Sequence, residues 1–249
     1  MGKFLPFSMK RSIKTGMQKL GVVGGMGTET SCKFCLALNA RVRSALDRQP
    51  DISMDVLPLS KKAQERIIKG KRCEEHFELM KKSVLSLQGG GCDFIVIPCN
   101  TVHIFLDELR KISTVPILSI MEEVAGFCSD KGFTKVGVVG SSMTIRSRLH
   151  EKELSNKGIA VVLPHRADQD FLDDLVLHIL DGSFTQAHKR RFAKIIEGLA
   201  LQGAESIILA CTDFGGLVSE KDVGIPTVDT LGVLEDATFD RIIKGAKRP

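Results

Sequence analysis

Tryptophan and tyrosine are absent from this sequence of 249 residues, and aromatic residues make up only 5% of it. Nucleic-acid-binding surfaces combine basic patches with aromatic side chains that stack on bases. Here the formal net charge is +5, and the lysines and arginines are scattered among acidic residues. The sequence therefore argues against a nucleic-acid partner. No apolar run approaches the roughly 20 residues that a membrane-spanning helix needs, so we expect no membrane partner either.

The seven cysteines are an odd number, and the chain is long enough to bury a core without a disulfide scaffold. We interpret them as thiols in a reducing compartment, which predicts a cytoplasmic protein. Cys32 and Cys35 form a C-x-x-C pair inside a helical pattern, with no second pair at zinc spacing, so a redox or metal site is not favoured. Cys73, Cys92 and Cys128 are expected to lie in the core.

The first eighteen residues include Lys3, Lys10, Arg11 and Lys14 and contain no acidic residue. They lack the unbroken apolar stretch of a secretory signal. We interpret residues 1–18 as a flexible basic extension, with an organelle address as the alternative.

Short β-branched runs alternate with longer amphipathic segments, which is typical of an α/β protein with parallel sheets. The predicted strands cover residues 20–24, 93–97, 135–139 and 206–209. The glycine-containing run of the first strand, LGVVG, returns in the third as VGVVG, and the second and fourth strands each run into a Cys-(Asn)-Thr segment. The repeat predicts two similar pseudosymmetric lobes, each a parallel sheet flanked by helices.

Ligands of open parallel sheets bind at the carboxyl ends of the strands, and Cys99 and Cys211 fall at such ends. If the two lobes face each other about a pseudo-twofold axis, both cysteines reach one cleft from opposite sides. We predict a first lobe of residues 19–115 plus 230–249 and a second lobe of residues 116–229. The active site is expected in the cleft between them.

Two opposed thiols suit the inversion of a stereocentre by proton transfer. One group removes the α-proton and the other returns a proton to the opposite face, which cysteines can do when one is a thiolate and the other a thiol. Each cysteine precedes a predicted helix start, where unpaired amides and the helix dipole are expected to stabilise the thiolate. The sequence shows neither a pyridoxal-lysine context nor a metal cluster, so we expect no cofactor and no metal.

Other residues are suited to bind an amino acid. The loop of residues 24–29, between a strand and a helix, offers amides to a carboxylate through Met26 and Gly27, and it does not fit the dinucleotide fingerprint. Its counterpart in the second lobe contains Thr144. Glu29 and Asp213 can orient the substrate or a thiol, or simply cap helices.

His103 lies four residues after Cys99, on the same helical face if a helix begins there. We therefore expect it either to tune the thiol or to act as a structural cap or hydrogen-bonding group.

At these residues the chain resembles the aspartate/glutamate racemase family. Residues 20–27 (LGVVGGMG) resemble the family's opening motif, and residues 98–103 (PCNTVH) and 210–213 (ACTD) resemble its two catalytic segments. Residues 144–153 are similar to the helix of its second lobe. The likeness extends over nearly the whole chain after residue 18.

The resemblance implies a pseudosymmetric two-lobe fold, no cofactor and a homodimer. It further implies that Cys99 and Cys211 are the opposed acid and base, and that Asn100, Thr101 and Thr212 hold the α-carboxylate. The expected activity is racemisation of aspartate, glutamate or a related amino acid.

Departures from the family pattern concern the substrate. Members that act on acidic substrates carry an arginine in a Pro-Asp-Arg-Thr-like loop, where this chain has LPLSKKA at residues 57–63, so we expect Lys62, or its neighbour Lys61, to replace it. A second basic residue is missing before Gly182, where Asp181 stands. Asp213 takes the place of a glutamate.

Alternative activities stay open at this point. Related branches perform hydantoin racemisation, decarboxylation or cis–trans isomerisation, although decarboxylation needs only one cysteine as proton donor. A catalytically silent amino-acid-binding protein is the alternative outside the enzymes.

Overall fold

The computed structural model describes residues 16–244. Most of the predicted extension at 1–18, and the last five residues assigned to the first lobe, lie outside this range. The described chain is an α/β protein with two parallel sheets flanked by helices, which confirms the predicted fold class. No helix between residues 16 and 244 has both the length and the apolarity needed to cross a bilayer.

The first half of the chain builds a sheet in which β2, β1 and β3 lie side by side and run parallel. Its helices and strands, in chain order, are β1 (Leu20–Gly24), α1 (Thr28–Leu46), β2 (Ile52–Val56), α2 (Lys61–Ile68), α3 (Glu74–Gly89), β3 (Phe94–Val96), α4 (Leu106–Ile112) and α5 (Ile120–Asp130). Ile117 adds a parallel bridge to Ile95 of β3. This sheet therefore reaches just past residue 115, the predicted limit of the first lobe.

The second half repeats this plan, with the parallel order β5, β4, β6, β7. In this sheet β7 lies beside β6, in the position that Ile117 takes beside β3 in the first sheet. In chain order the elements are β4 (Lys135–Gly140), α6 (Ser142–Arg146), α7 (Leu149–Asn156), β5 (Ala160–Val162), α8 (Arg166–Leu180), α9 (Gln186–Leu201), β6 (Ser206–Ala210), α10 (Glu220–Val223), β7 (Thr227–Asp229) and α11 (Thr230–Ile243).

The strands predicted from sequence are the buried central ones, β1, β3, β4 and β6, and the structure confirms all four. The sequence analysis missed β2, β5 and β7. These are outer strands, and most of their residues are only half-buried or exposed. A strand at the edge of a sheet lacks the continuous apolar run that marks a central parallel strand, so its sequence signal is weak.

The two halves exchange their last helices. Helix α5 ends the first half but packs on α7 of the second, and α11 ends the second half but packs on α1 of the first. The exchanged helices also pack on each other. One core therefore runs through both halves, with buried residues such as Phe34, Val124, Val138 and Leu234 in the same cluster.

The close approach of β4 and β6 beside Cys211 can be tested at Gly140, which pairs with Ala210. A Cβ at Gly140 would lie 2.8 Å from the Ala210 carbonyl oxygen. Gly140→Ala is therefore expected to lower the free energy of unfolding by about 2 kcal/mol, because the backbone must move.

The matched control is Gly198→Ala in α9, where a Cβ would meet no atom of the described chain within 4 Å. This variant is expected to raise the free energy of unfolding by about 0.5–1 kcal/mol, since alanine is the better helix former. Chemical denaturation of both variants measures the difference. Equal effects would contradict the close packing of the two strands.

Candidate active site

Cys99 and Cys211 occupy equivalent places in the two halves, just beyond the carboxyl ends of β3 and β6. Both line one small cavity of about 30 Å³, which we call the thiol chamber. Cys211 is buried and Cys99 is half-buried. The fold thus brings together the two thiols that the sequence predicted as a pair, although more than a hundred residues separate them in the chain.

A larger cavity of about 550 Å³, the outer cleft, adjoins the thiol chamber. Gly25, Gly27 and Glu29 line it from the first half, while Leu180 and Asp181 line it from the second. The chamber and the cleft share four lining residues, Gln64, Leu180, Thr212 and Asp213. Met26 lines the chamber. The thiol chamber therefore borders the outer cleft.

Cys99 accepts hydrogen bonds. The backbone amides of Thr101 and Val102 and the Thr101 hydroxyl interact with its sulfur, and each of these contacts favours the thiolate. Burial outweighs them and raises the pKa of Cys99 to about 11, to which the negative charge of Asp213 also contributes.

Cys211 also donates a hydrogen bond. Its thiol donates to Asp213 Oδ2 over 3.8 Å, and the other carboxylate oxygen of Asp213 accepts from the Thr30 hydroxyl. Burial raises the pKa of Cys211 well above its ordinary value, and the charge of Asp213 raises it further. Burial also raises the pKa of Asp213. The Asp213 amide also interacts with the Cys211 sulfur, so Cys211 has one amide donor and a hydrogen-bonded carboxylate beside it. Cys99 has two amide donors and one hydroxyl donor.

The helical segments that start after the cysteines are of the 3₁₀ type, Thr101–Phe105 and Thr212–Phe214, rather than α-helical. The first of them runs directly into α4. A helix dipole needs several aligned peptide units, so individual amides act on the sulfurs in its place. The amides favour the thiolates, as expected, but burial outweighs them and raises the pKa of both cysteines.

His103 holds the Cys99 loop through the backbone. Its Nε2 accepts from the amide of Ile120 at 3.2 Å, so the ring proton is on Nδ1, which donates to the Cys99 carbonyl oxygen at 2.8 Å. Burial lowers the pKa of His103 to about 4, and the ring stays neutral. Of the two roles that the sequence left open, this geometry favours the structural one.

Asn100 joins the two halves beneath the thiols. Its Nδ2 donates to the Thr230 hydroxyl at 2.9 Å, and its Oδ1 accepts from Nε2 of His150 at 2.8 Å. All three side chains are buried. Burial lowers the pKa of His150 to about 3, so this imidazole is neutral too.

The threonines next to the cysteines also bridge the halves. Oγ1 of Thr101 lies 2.9 Å from Oγ of Ser141, and the Thr212 hydroxyl donates to the Pro98 carbonyl oxygen at 3.3 Å. Thr144 lies behind this pair, where its amide donates to Ser141. Together with the bonds of Asn100, these contacts form what we call the interlobe seam.

The two glycine-containing loops differ in one respect. In the second half, Ser141 caps α6 by accepting from the Thr144 amide, and the buried carboxylate of Asp173 accepts from the Ser142 amide at 2.6 Å. In the first half, α1 follows Gly27, which has φ of 91° and, within the described chain, no side-chain cap on the helix. Of the two loops, the first is thus the one that leads into a helix without a side-chain cap, and Thr28, Glu29 and Thr30 at the start of that helix line the outer cleft.

The structure places the predicted lysine outside the site. Among the described residues, Lys62 is exposed and lines neither cavity. Its neighbour Lys61 lines the outer cleft, where its ammonium lies 2.8 and 2.9 Å from the two carboxylate oxygens of Asp181. The resemblance to the family leads us to expect a basic residue near position 181, where this chain has Asp181. Lys61 is therefore paired with a carboxylate of the protein itself.

Sequence reasoning missed His76, which lies on α3 and lines the thiol chamber. His76 is fully buried and shares the core-facing side of α3 with Met80, Val84 and Leu87. This helical spacing is visible in the sequence and places the histidine on the buried face. The spacing alone gives no sign that the face adjoins the thiols.

The other five cysteines agree with their predicted roles. Cys73, Cys92 and Cys128 are buried, Cys32 and Cys35 lie within α1, and all are free thiols. Between residues 16 and 244, no group of three or more His, Cys, Asp or Glu side chains is arranged to hold a metal ion.

Comparisons with known proteins bear on the family and the fold of this chain. The sequence is 30% identical over 164 residues to the broad specificity amino-acid racemase RacX of Bacillus subtilis. The aligned residues make up 64% of this chain and 70% of RacX. The fold is similar to a candidate Asp/Glu racemase from Yersinia pestis, with a TM-score of 0.80 and 24% identity over 91% of this chain and 100% of that one.

The fold is also similar to the aspartate racemase of Picrophilus torridus, with a TM-score of 0.72 and 22% identity over 93% of this chain and 95% of that one. Residues 23–237 match the family model described as Asp/Glu/hydantoin racemase. The chain therefore belongs to the Asp/Glu/hydantoin racemase family.

Proposed function

We propose that this protein is a cofactor-independent amino-acid racemase that moves the α-proton between Cys99 and Cys211. The observation that carries the proposal is the unequal hydrogen bonding of two thiols in one chamber. Cys99 is surrounded by donors, and Cys211 donates to Asp213. A two-base racemase needs this pattern, because a thiolate must face the α-proton while a thiol waits on the other side.

In the forward step, the thiolate of Cys99 takes the α-proton, and the electron pair of the C–H bond passes into the enediolate of the carboxylate. The thiol of Cys211 then gives its proton to the opposite face of the α-carbon. Cys99 ends as the thiol and Cys211 as the thiolate, so the reverse reaction uses the same groups with their roles exchanged. No proton is gained or lost overall.

The uncapped start of α1 is the proposed site for the α-carboxylate. Its amides and the dipole of a 19-residue helix favour an anion, and they favour it more as negative charge grows during proton removal. Thr101 and Thr212 support the site indirectly through the interlobe seam. Asn100 keeps a second amide proton beyond its bond to Thr230, and this proton remains available to the carboxylate.

The basic test follows α-proton loss and chirality together in deuterium oxide, with purified protein and a panel of L- and D-amino acids. Exchange with inversion supports the racemase. Exchange without inversion points to a single working thiol, and no exchange with any amino acid favours a related chemistry or a silent binding protein. The homodimer and the cytoplasmic location stay predictions.

Replacing either thiol should abolish racemisation, because each face of the α-carbon needs its own acid or base. We expect Cys99→Ser and Cys211→Ser to lower kcat by about 10²- to 10⁴-fold. Cys32→Ser in α1, away from the thiol chamber, is the matched control and should retain activity. Full racemisation by Cys211→Ser would refute the two-base assignment.

The pH dependence should reflect the raised thiol pKa values. Since burial and the charge of Asp213 both raise the pKa of Cys99 and of Cys211, the thiolate is scarce at neutral pH. We expect kcat/KM to rise about tenfold per pH unit below the thiol pKa. Asp213→Asn removes the negative charge, lowers the thiol pKa and should move this rise to lower pH.

Asp240→Asn, on the exposed side of α11, is the control for the pH experiment and should leave the profile unchanged. The measurement is the pH profile of kcat/KM for the wild-type protein, Asp213→Asn and Asp240→Asn. A shift to higher pH in Asp213→Asn would mean that the carboxylate assists deprotonation of Cys211 more than its charge opposes it.

A further inference from the structure

His76 lacks a partner although it lies beside the reacting groups. It is fully buried, and neither ring nitrogen has a hydrogen-bond partner in the described part of the chain. Buried polar side chains are nearly always paired, and each unpaired one costs roughly 1–3 kcal/mol. Because His76 lines the thiol chamber, its position favours a partner that enters with the substrate.

Within the described chain, the chamber around His76 offers no cation to a substrate side chain. Six of its lining residues are apolar, namely Met26, Ile67, Ile68, Val102, Val176 and Leu180, and among the described residues its acidic lining residue is Asp213. No lysine or arginine among the described residues lines it. A carboxylate side chain would therefore be buried here without a cation, which is strongly unfavourable.

His76 is itself a neutral group in this setting. Burial lowers the pKa of its imidazole, so the ring offers one hydrogen-bond donor and one acceptor and no charge. The lysines near the site, Lys33 and Lys61, line the outer cleft and not the chamber, and Lys61 is paired with Asp181.

Most other polar groups of the chamber already have partners, since Asn100, Thr101 and Thr212 bond within the interlobe seam and Asp213 bonds to Thr30 and Cys211. Gln64 lines both the chamber and the outer cleft. His76 is thus the fully buried lining side chain whose polar atoms are unpaired within the described chain.

The charged groups of an amino acid are accommodated elsewhere. Its carboxylate matches the α1 amides, and its ammonium matches the outer cleft, whose carboxylates include Glu29 and Asp213. The side chain is the part of the substrate left for the chamber. A volume of about 30 Å³ holds roughly two water-sized groups, so this side chain is short.

We propose that the thiol chamber selects a short, uncharged side chain that forms hydrogen bonds, and that His76 is the residue that recognises it. The inference rests on the racemase function proposed above and narrows its substrate class. It departs from the expectation of aspartate or glutamate, because the groups that would neutralise a second carboxylate are not in the chamber.

The test uses aspartate, asparagine and leucine, whose side chains have nearly the same shape but are charged, neutral polar and apolar. The measured quantity is kcat/KM for α-deuterium exchange. The wild-type protein should prefer asparagine to both of the others. His76→Leu should lower the value for asparagine by about tenfold, the effect of one neutral hydrogen bond, and leave that for leucine equal or higher.

Two further variants control for nonspecific effects. His76→Gln keeps a neutral donor and acceptor and should retain part of the preference for asparagine. His165→Leu makes the same replacement at an exposed histidine that lines neither the chamber nor the cleft, and all three values should stay unchanged. Without ligand, His76→Leu should melt at or above the wild-type temperature, because it removes an unpaired polar group.

The outcomes separate the two proposals. No exchange by the wild-type protein with any amino acid overturns the racemase function itself. Exchange that is confined to charged or apolar amino acids, or an asparagine-to-leucine ratio that His76→Leu does not change, overturns the role of His76 and leaves the racemase intact. A clearly lower melting temperature of ligand-free His76→Leu would assign His76 a structural role and likewise overturn the inference.

Discussion

The hydrogen bonds of the interlobe seam are the contacts on which the site depends. They join the segment that carries Cys99 to the second half and the segment that carries Cys211 to the first. Because these groups are buried, separating them would leave polar atoms unpaired at a cost of roughly 1–3 kcal/mol each. The seam therefore fixes the positions of the two thiols. The exchanged helices α5 and α11 add a common core on either side of it.

The burial that positions the thiols also opposes their ionisation. The pKa of each cysteine rises because its charged form loses water, and the nearby carboxylate of Asp213 adds to the effect. A substrate ammonium next to Asp213 would offset part of that charge. In the proposed reaction, the protein and the substrate thus share the task of making the thiolate available. In this proposal the thiolate forms more readily when an amino acid is bound than when the site is empty.

The twofold plan of the fold is broken at two places in the candidate site. Both halves have a glycine-containing loop before a helix, but the carboxylate of Asp173 accepts from that loop in the second half. In the first half the corresponding helix start is uncapped and borders the outer cleft. A single amino acid has a single α-carboxylate, so one open loop is sufficient. The chamber is unequal in the same way, since His76 comes from the first half alone.

The sequence by itself determined the family, the repeated α/β plan, the central strands and the two cysteines, because these depend on local apolar runs and on short motifs. Only the tertiary structure decided what surrounds the thiols. It placed Lys61 rather than Lys62 at the cleft, made the helical segments after the two cysteines 3₁₀ rather than α-helical, and brought His76 of α3 to the chamber. These features depend on contacts between residues far apart in the chain. Burial and charge at such contacts follow from packing, which local sequence patterns do not specify.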